Sequence, residues 1–232
     1  MVARLRPVIA IDGPAGAGKS TVARKLAERL GFVLVDTGAL YRCVALAAQR
    51  AGVDWGKNGE LGELAASIVA RGDLRFAPGA DGRPRVLLAD EDVSLAIRTP
   101  DIGLGASQVS AHPEVRAALL ELQRHAGKDG GVVLEGRDIG TVVFPDAEAK
   151  FFLTARPEVR AKRRHDELVA KGAATMTLAE TLEDVGKRDA QDTQRAVAPL
   201  KQAEGALLID SSDISIDEAV ARMASDVRQR MR

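Results

Sequence analysis

Aromatic residues are scarce in this chain of 232 residues, at 3%. Few ring faces are available on which unpaired bases could stack, which counts against a single-strand nucleic-acid binder. Charge of one sign is missing as well. The 33 basic and 33 acidic residues give a formal net charge of zero, whereas a dedicated nucleic-acid protein carries a basic excess that displaces phosphate counterions. The single cysteine, Cys43, excludes an internal disulfide and a cysteine-rich zinc site. No apolar run approaches the roughly 20 residues that span a bilayer. The stretch Val8 to Ile11 behind the basic start is too short for a secretory core. A cytoplasmic monomer without membrane or nucleic-acid partners is the expectation, and 46% hydrophobic residues are enough to fill a core.

What the chain does have is alternation. Strand-like and helix-like segments follow one another, the signature of an α/β fold on a largely parallel sheet. Val8 to Ile11 reads as a buried strand; Val22, Leu26 and Leu30 share one face of a helix that Gly31 ends. Phe32 to Val35 is a second strand, followed by a helix through Tyr41, Val44, Ala45 and Ala48 that stops at Gly52. Residues 74 to 95 read as a small antiparallel insert about a turn at Pro78 to Gly82. Pro113 occupies the first position of a further helix. Val132 to Leu134 and Lys150 to Leu153 are the next parallel strands. Pro157 opens a helix, and Thr177 to Glu180 is a capping box for the one after it, with a break at Lys171 to Thr175 between them. A last strand, Ala206 to Ile209, precedes a helix begun by the capping box Ser215 to Glu218.

Gly13-Pro14-Ala15-Gly16-Ala17-Gly18-Lys19-Ser20 matches G-x-x-x-x-G-K-[ST] and lies between the first strand and the first helix, the context that motif requires. Its glycines let backbone N–H groups converge on phosphate, and the helix N-terminus adds further donors and the positive end of a dipole. Lys19 can reach the outer phosphates, Ser20 is placed as a ligand of ATP-bound Mg²⁺, and Thr21 continues the ATP-binding segment. A GTPase switch would also need Asn-Lys-x-Asp and Asp-x-x-Gly, and the chain contains neither.

In open α/β sheets ligands bind beyond the carboxyl ends of the strands. Two such ends carry Asp36-Thr37-Gly38-Ala39-Leu40-Tyr41-Arg42 and Glu135-Gly136-Arg137-Asp138-Ile139-Gly140-Thr141, each with a guanidinium suited to a second phosphate group. Further on, residues 150 to 201 hold 11 basic against 8 acidic side chains, too small an excess for a nucleic-acid patch. The spacing of Arg188, Asp192 and Arg195 puts all three on one helix face, as a mobile lid closing over a transferring phosphoryl group would require. The scattered histidines His112, His125 and His165 have no catalytic role, and Cys43 is a core residue.

Taken together, I-D-G-P-A-G-A-G-K-S, D-T-G-A-L-Y-R, E-D-V-S-L-A-I-R-T, A-S-Q-V-S-A-H-P-E-V-R, G-R-D-I-G-T-V-V-F-P-D-A and K-R-D-A-Q-D-T-Q-R-A-V-A-P-L resemble the bacterial cytidylate kinase family from Ile9 to Asp210. The resemblance implies a P-loop fold: a five-stranded parallel sheet flanked by helices, in one kinase domain with an NMP-binding insert at about 55–100 and a helical lid at about 156–190. It implies phosphorylation of CMP and dCMP by ATP with Mg²⁺. Carried over by position, Gly13 to Ser20 hold ATP, and Thr37, Arg42, Arg137 and Arg195 hold the CMP phosphate. Ser107, Arg116 and Asp138 fall at the cytosine, Arg188 and Asp192 at the sugar, and Lys19, Arg137, Arg188 and Arg195 become the catalytic cations. Glu135 and Thr37 stand where the family often has Asp and Ser, a departure that keeps the functional group. The rival readings are a P-loop kinase for UMP, AMP or shikimate, which would differ at Ser107, Arg116 and Asp138, and a nucleotide-dependent switch that binds without turnover.

Overall fold

Val8–Asp12 forms β1, and all five residues are buried. It turns at once into the glycine-rich loop, from which α1 (Lys19–Leu30) rises with Val22, Ala23, Leu26 and Ala27 inward. Gly31 ends α1 at φ 63, a left-handed C-cap that glycine adopts without strain. The computed structural model describes residues 4–78, 84–170, 172 and 176–231. They divide into two compact units, one formed by residues up to 35 and from 127 onward, the other by residues 36–126.

The first unit contains a five-stranded parallel sheet. Beyond β1 its strands are β2 (Val33–Asp36, reaching the unit boundary), β6 (Val132–Gly136), β7 (Ala149–Thr154) and β8 (Leu207–Asp210), in the order β2-β6-β1-β7-β8. β1 lies at the centre, with Val8 opposite Val132 on one side and Ile9 opposite Ala149 on the other. Ile9, Ile11, Phe151 and Leu153 pack with Leu26 of α1 and with Val220, Met223 and Val227 of α8 (Ile216–Arg230) into one core. Two more helices, α6 (Pro157–Ala170) and α7 (Leu178–Gln194), lie between β7 and β8 in the chain. Both expected capping boxes are present, at Thr177 with Glu180 and at Ser215 with Glu218.

The second unit packs α2 (Thr37–Ala51), α3 (Asn58–Ala70), α4 (Pro100–Val109) and α5 (Pro113–Gly127, whose last residue lies past the boundary) around Leu40, Val44, Leu61, Ile102 and Leu119. The expected antiparallel insert is the sheet β3 (Leu74–Pro78), β4 (Pro84–Leu88) and β5 (Glu91–Asp92). The turn expected at 78 to 82 lies, after Pro78, outside the described residues, as does the break at 171 to 175 apart from Gly172. Cys43 is buried in this core, which pushes its thiol up to about 12.

Helix α4 is the element that the sequence pattern does not announce, because Gly103 and Gly105 weaken a ten-residue helix. Both glycines are set by packing. A Cβ at Gly103 would stand 3.2 Å from the Arg42 guanidinium, and one at Gly105 would stand 2.6 Å from the Trp55 ring.

Candidate active site

The glycine-rich loop is held from below by β7. A Cβ at Gly13 would lie 2.0 Å from the Leu153 carbonyl oxygen, so only glycine lets the loop leave the sheet there. Lys19 Nζ donates to the Pro14 carbonyl at 2.8 Å, folding the side chain back over the loop. Ser211 Oγ donates to Ala17 O at 3.3 Å. Ser20, exposed on the first turn of α1, donates from Oγ to Glu135 Oε2 at 3.0 Å, and Thr21 follows it half-buried. The Ser20 hydroxyl and the Glu135 carboxylate thus sit together at the ends of α1 and β6.

Asp12, which ends β1, was not singled out by the sequence. Its two oxygens accept from Ile139 N at 2.8 Å and Gly140 N at 2.7 Å. They hold a single π-helical turn, Ile139–Val143, in place of the strand-like course its β-branched residues suggest. Burial pushes the Asp12 carboxyl up to about 6, against the pull of the two N–H groups.

On this frame the structure gathers the residues of the first unit expected on the acceptor side. Arg137 Nε donates to Asp192 Oδ2 at 2.7 Å. Arg195 lies 3.8 Å from Asp138 and 3.9 Å from Asp192, with all three side chains less than a tenth exposed. Arg195 is the C-cap of α7, and its helical φ of −61 keeps its side chain on the face expected with Arg188 and Asp192, while its ψ of 141 turns only the following chain away. The turn past the helix end is fixed by Arg195 Nε donating to Ala198 O at 2.6 Å and Leu200 N to Asp192 O at 2.8 Å. Arg188 stays on α7 and pairs with Asp184 at 3.0 Å.

These charges act on one another through a low-dielectric interior. Burial and the nearby Arg137 push the Lys19 ammonium down to about 7, against Glu135, Asp192 and Asp12. Burial also works against the Arg137 charge, but Asp192, Glu135 and Asp12 more than offset it and raise its pKa. The unit therefore holds a cluster of cations, one of them short of its ordinary charge, that a polyanion would complete.

The second unit carries the remaining expected residues. Thr37 is buried at the start of α2, behind Asp36, whose carboxylate accepts from Ala39 N at 3.2 Å and pairs with Arg98 at 2.8 Å. Arg42, one turn further, donates to Ile97 O at 3.1 Å. Arg116 of α5 is buried over the Tyr41 ring, 5.5 Å from its centroid, and donates to Ser110 O at 3.2 Å. Ser107 lies on the last turn of α4, its carbonyl accepting from Ser110 Oγ at 2.9 Å. The unexpected helix is thus the one that positions Ser107.

Comparison with known proteins places these features in a family context. The family model for cytidylate kinase matches residues 9–229. A cytidylate kinase from Syntrophotalea carbinolica is 54% identical over 223 residues, 96% of this chain and 92% of that one. One from a Geobacter species (strain M21) is 53% identical over 225 residues, 97% of this chain and 94% of that one. One from Stutzerimonas stutzeri is 49% identical over 225 residues, 97% of this chain and 96% of that one.

Proposed function

The chain belongs to the cytidylate kinase family, and from that premise we propose how its residues divide the transfer of a phosphoryl group from ATP to CMP and dCMP. The observation that carries the reading is the cluster of the half-buried Arg137 with the buried Asp138, Asp192 and Arg195 in the same unit as the Lys19 loop. An oxygen of the CMP phosphate attacks the γ-phosphorus in line, the bond to the β–γ bridging oxygen breaks, and ADP leaves. A phosphate monoester with a second pKa of about 6 is already largely dianionic at neutral pH, so no general base is needed. Catalysis is positioning and charge neutralisation.

Gly13 to Thr21 hold ATP. Lys19 lies over the loop, where it neutralises charge between the outer phosphates, and Arg188 supplies a further cation from α7. Arg137 and Arg195 grip the acceptor phosphate, a role the family resemblance also gives to Thr37 and Arg42. Asp138, Ser107 and Arg116 read the base, and Asp192 meets the sugar. Kinases of this class work with Mg²⁺ carried by ATP, and the residues present fit it. The Ser20 hydroxyl and Glu135 carboxylate, 3.0 Å apart, are hard oxygen donors suited to an ion that keeps most of its ligands from water and phosphate. When bound, that ion would neutralise the outer phosphates. We place the lid on α6 and α7.

Among the described residues no helix is long and apolar enough to cross a membrane. The test is an ADP-release assay with CMP, dCMP, UMP, AMP and shikimate as acceptors. Turnover with the cytidine nucleotides is the expected result; preference for another acceptor, or nucleotide binding without turnover, would overturn the reading.

A further inference from the structure

Among the basic residues of α6, Arg160 is set apart by burial. Its side chain is 4% exposed, whereas Lys162 on the same helix is more than half exposed. A buried guanidinium needs its donors satisfied, and here three elements satisfy them. Nε donates to Ala155 O at 2.8 Å, behind the end of β7. Nη1 donates to Ala15 O, in the middle of the glycine-rich loop, at 3.1 Å. Nη1 and Nη2 together grip the Asp189 carboxylate of α7 at 3.0 and 2.6 Å, a two-pronged pair. The backbone makes the same junction independently. A Cβ at Gly16 would lie 2.9 Å from Arg160 O and 3.0 Å from Arg160 Cβ, so the loop and α6 meet with no side chain between them.

Asp189 follows Arg188 directly and precedes Asp192 by less than one helical turn. One planar group therefore joins the backbone that would surround the donor phosphates to the helix that carries the acceptor-side residues. A second pair of the same two helices, Arg164 with Asp184 at 3.7 Å, ends on the carboxylate that also holds Arg188. A phosphate entering the loop would draw the N–H groups of residues 15 to 18 inward, and the Ala15 carbonyl that Arg160 holds would turn with them. The rigid fork transmits that movement to Asp189, whereas a lysine, with a rotating point charge, would not.

We propose that Arg160 is a positioning residue that couples filling of the donor loop to the placement of Arg188, Asp192 and Arg195, so that the two substrates bind with positive cooperativity. The proposal rests on the functional reading above for the identity of the acceptor, but its central measurement does not use one. With a non-hydrolysable ATP analogue and Mg²⁺ alone, amide exchange across residues 184 to 194 should slow in the wild-type chain. Unchanged exchange would overturn the proposal even if the enzyme phosphorylates CMP well. Conversely, failure of CMP turnover with intact protection of α7 would sink the acceptor assignment and leave the coupling standing.

Calorimetry supplies the second arm. CMP affinity should rise at least about fivefold when the ATP analogue is present, within the usual range for coupled sites. Asp189→Asn, nearly the same shape at a partly exposed position, should bring that factor to within twofold of one while changing CMP affinity without the analogue by less than twofold. Arg160→Lys should do the same, and Asp189→Glu should restore part of the coupling. Cooperativity that persists in Asp189→Asn would show the fork to be structural only.

Discussion

Asp192 accepts a 2.7 Å hydrogen bond from Arg137 Nε, joining the helix α7 to the end of β6 across 55 residues of sequence. The carboxylate is also 3.9 Å from Arg195, so a single acidic group orients two cations that would otherwise repel. Asp192→Ala should therefore lose more than the proposed sugar contact. The half-buried Arg137 would lose the acceptor of its Nε and the buried Arg195 one of its neighbouring carboxylates, and stability should fall by about 1 to 3 kcal/mol. Urea unfolding measures that cost, and kcat/KM for CMP should drop by at least about a hundredfold as the acceptor phosphate loses its fixed partners.

Lys19 predicts a proton. Its ammonium is pushed down to about 7 by burial and Arg137, so in the free protein the neutral amine grows as pH rises past 7. Bound polyphosphate favours the charged form. Donor binding must then take up a proton above neutrality, and affinity must fall as pH increases. The uptake should be larger at pH 8 than at pH 6. Calorimetry in two buffers of different ionisation enthalpy reads it directly. Lys19→Ala should abolish the uptake and lower kcat by about a hundredfold or more while the fold survives.

The proposed reading of the base rests on Asp138. Its carboxylate can accept from the cytosine amino group, whereas the O4 of uracil would face it with a second acceptor, at roughly 1 to 3 kcal/mol for each unpaired group. CMP should be preferred to UMP by orders of magnitude in the wild type. Because Arg195 lies 3.8 Å from Asp138, removing the carboxylate disturbs the phosphate grip as well. The informative quantity is thus the CMP-to-UMP ratio of kcat/KM, which Asp138→Ala should narrow. An unchanged ratio would show that Asp138 does not read the base.

Two glycines of the same loop should respond differently to one methyl group. At Gly13 the methyl meets the Leu153 carbonyl at 2.0 Å, backbone that belongs to β7 and cannot withdraw. At Gly18 it meets nothing within 4 Å, and only the positive φ of 90 opposes it. Gly18→Ala should cost about 1 to 2 kcal/mol, whereas Gly13→Ala should cost more, at least about 3 kcal/mol. Thermal and urea unfolding of the two variants rank them.

The strand and helix skeleton was legible because its signals are local. Gly31 and Gly52 cap the helices they were expected to end, both capping boxes formed, and Val8 to Ile11 is buried as its uninterrupted apolar run implies. What stayed hidden depends on distant partners. Helix α4 carries two glycines that contradict its propensity, and their reason lies in Arg42 and Trp55, dozens of residues away. The turn at 139 to 143 has β-branched residues that favour a strand, and the Asp12 carboxylate overrides them by binding two of its N–H groups. Within the site, the glycine-rich loop carried its own signature, whereas Arg160 and Asp189 were two more charges in charged segments.

The strand order has a consequence for how the chain is made. β1 is the middle strand of its sheet, yet Val8 pairs with Val132 and Ile9 with Ala149. When the glycine-rich loop leaves the ribosome it has no neighbour to pair with, and it must wait while more than half of the chain is synthesised. The unit of residues 36–126 is contiguous and contains its own core, so its contacts can form during that wait. The glycine-rich loop is thus among the last parts to take shape, and a nascent chain stalled before β6 would hold the unit of residues 36–126 without a sheet beneath that loop.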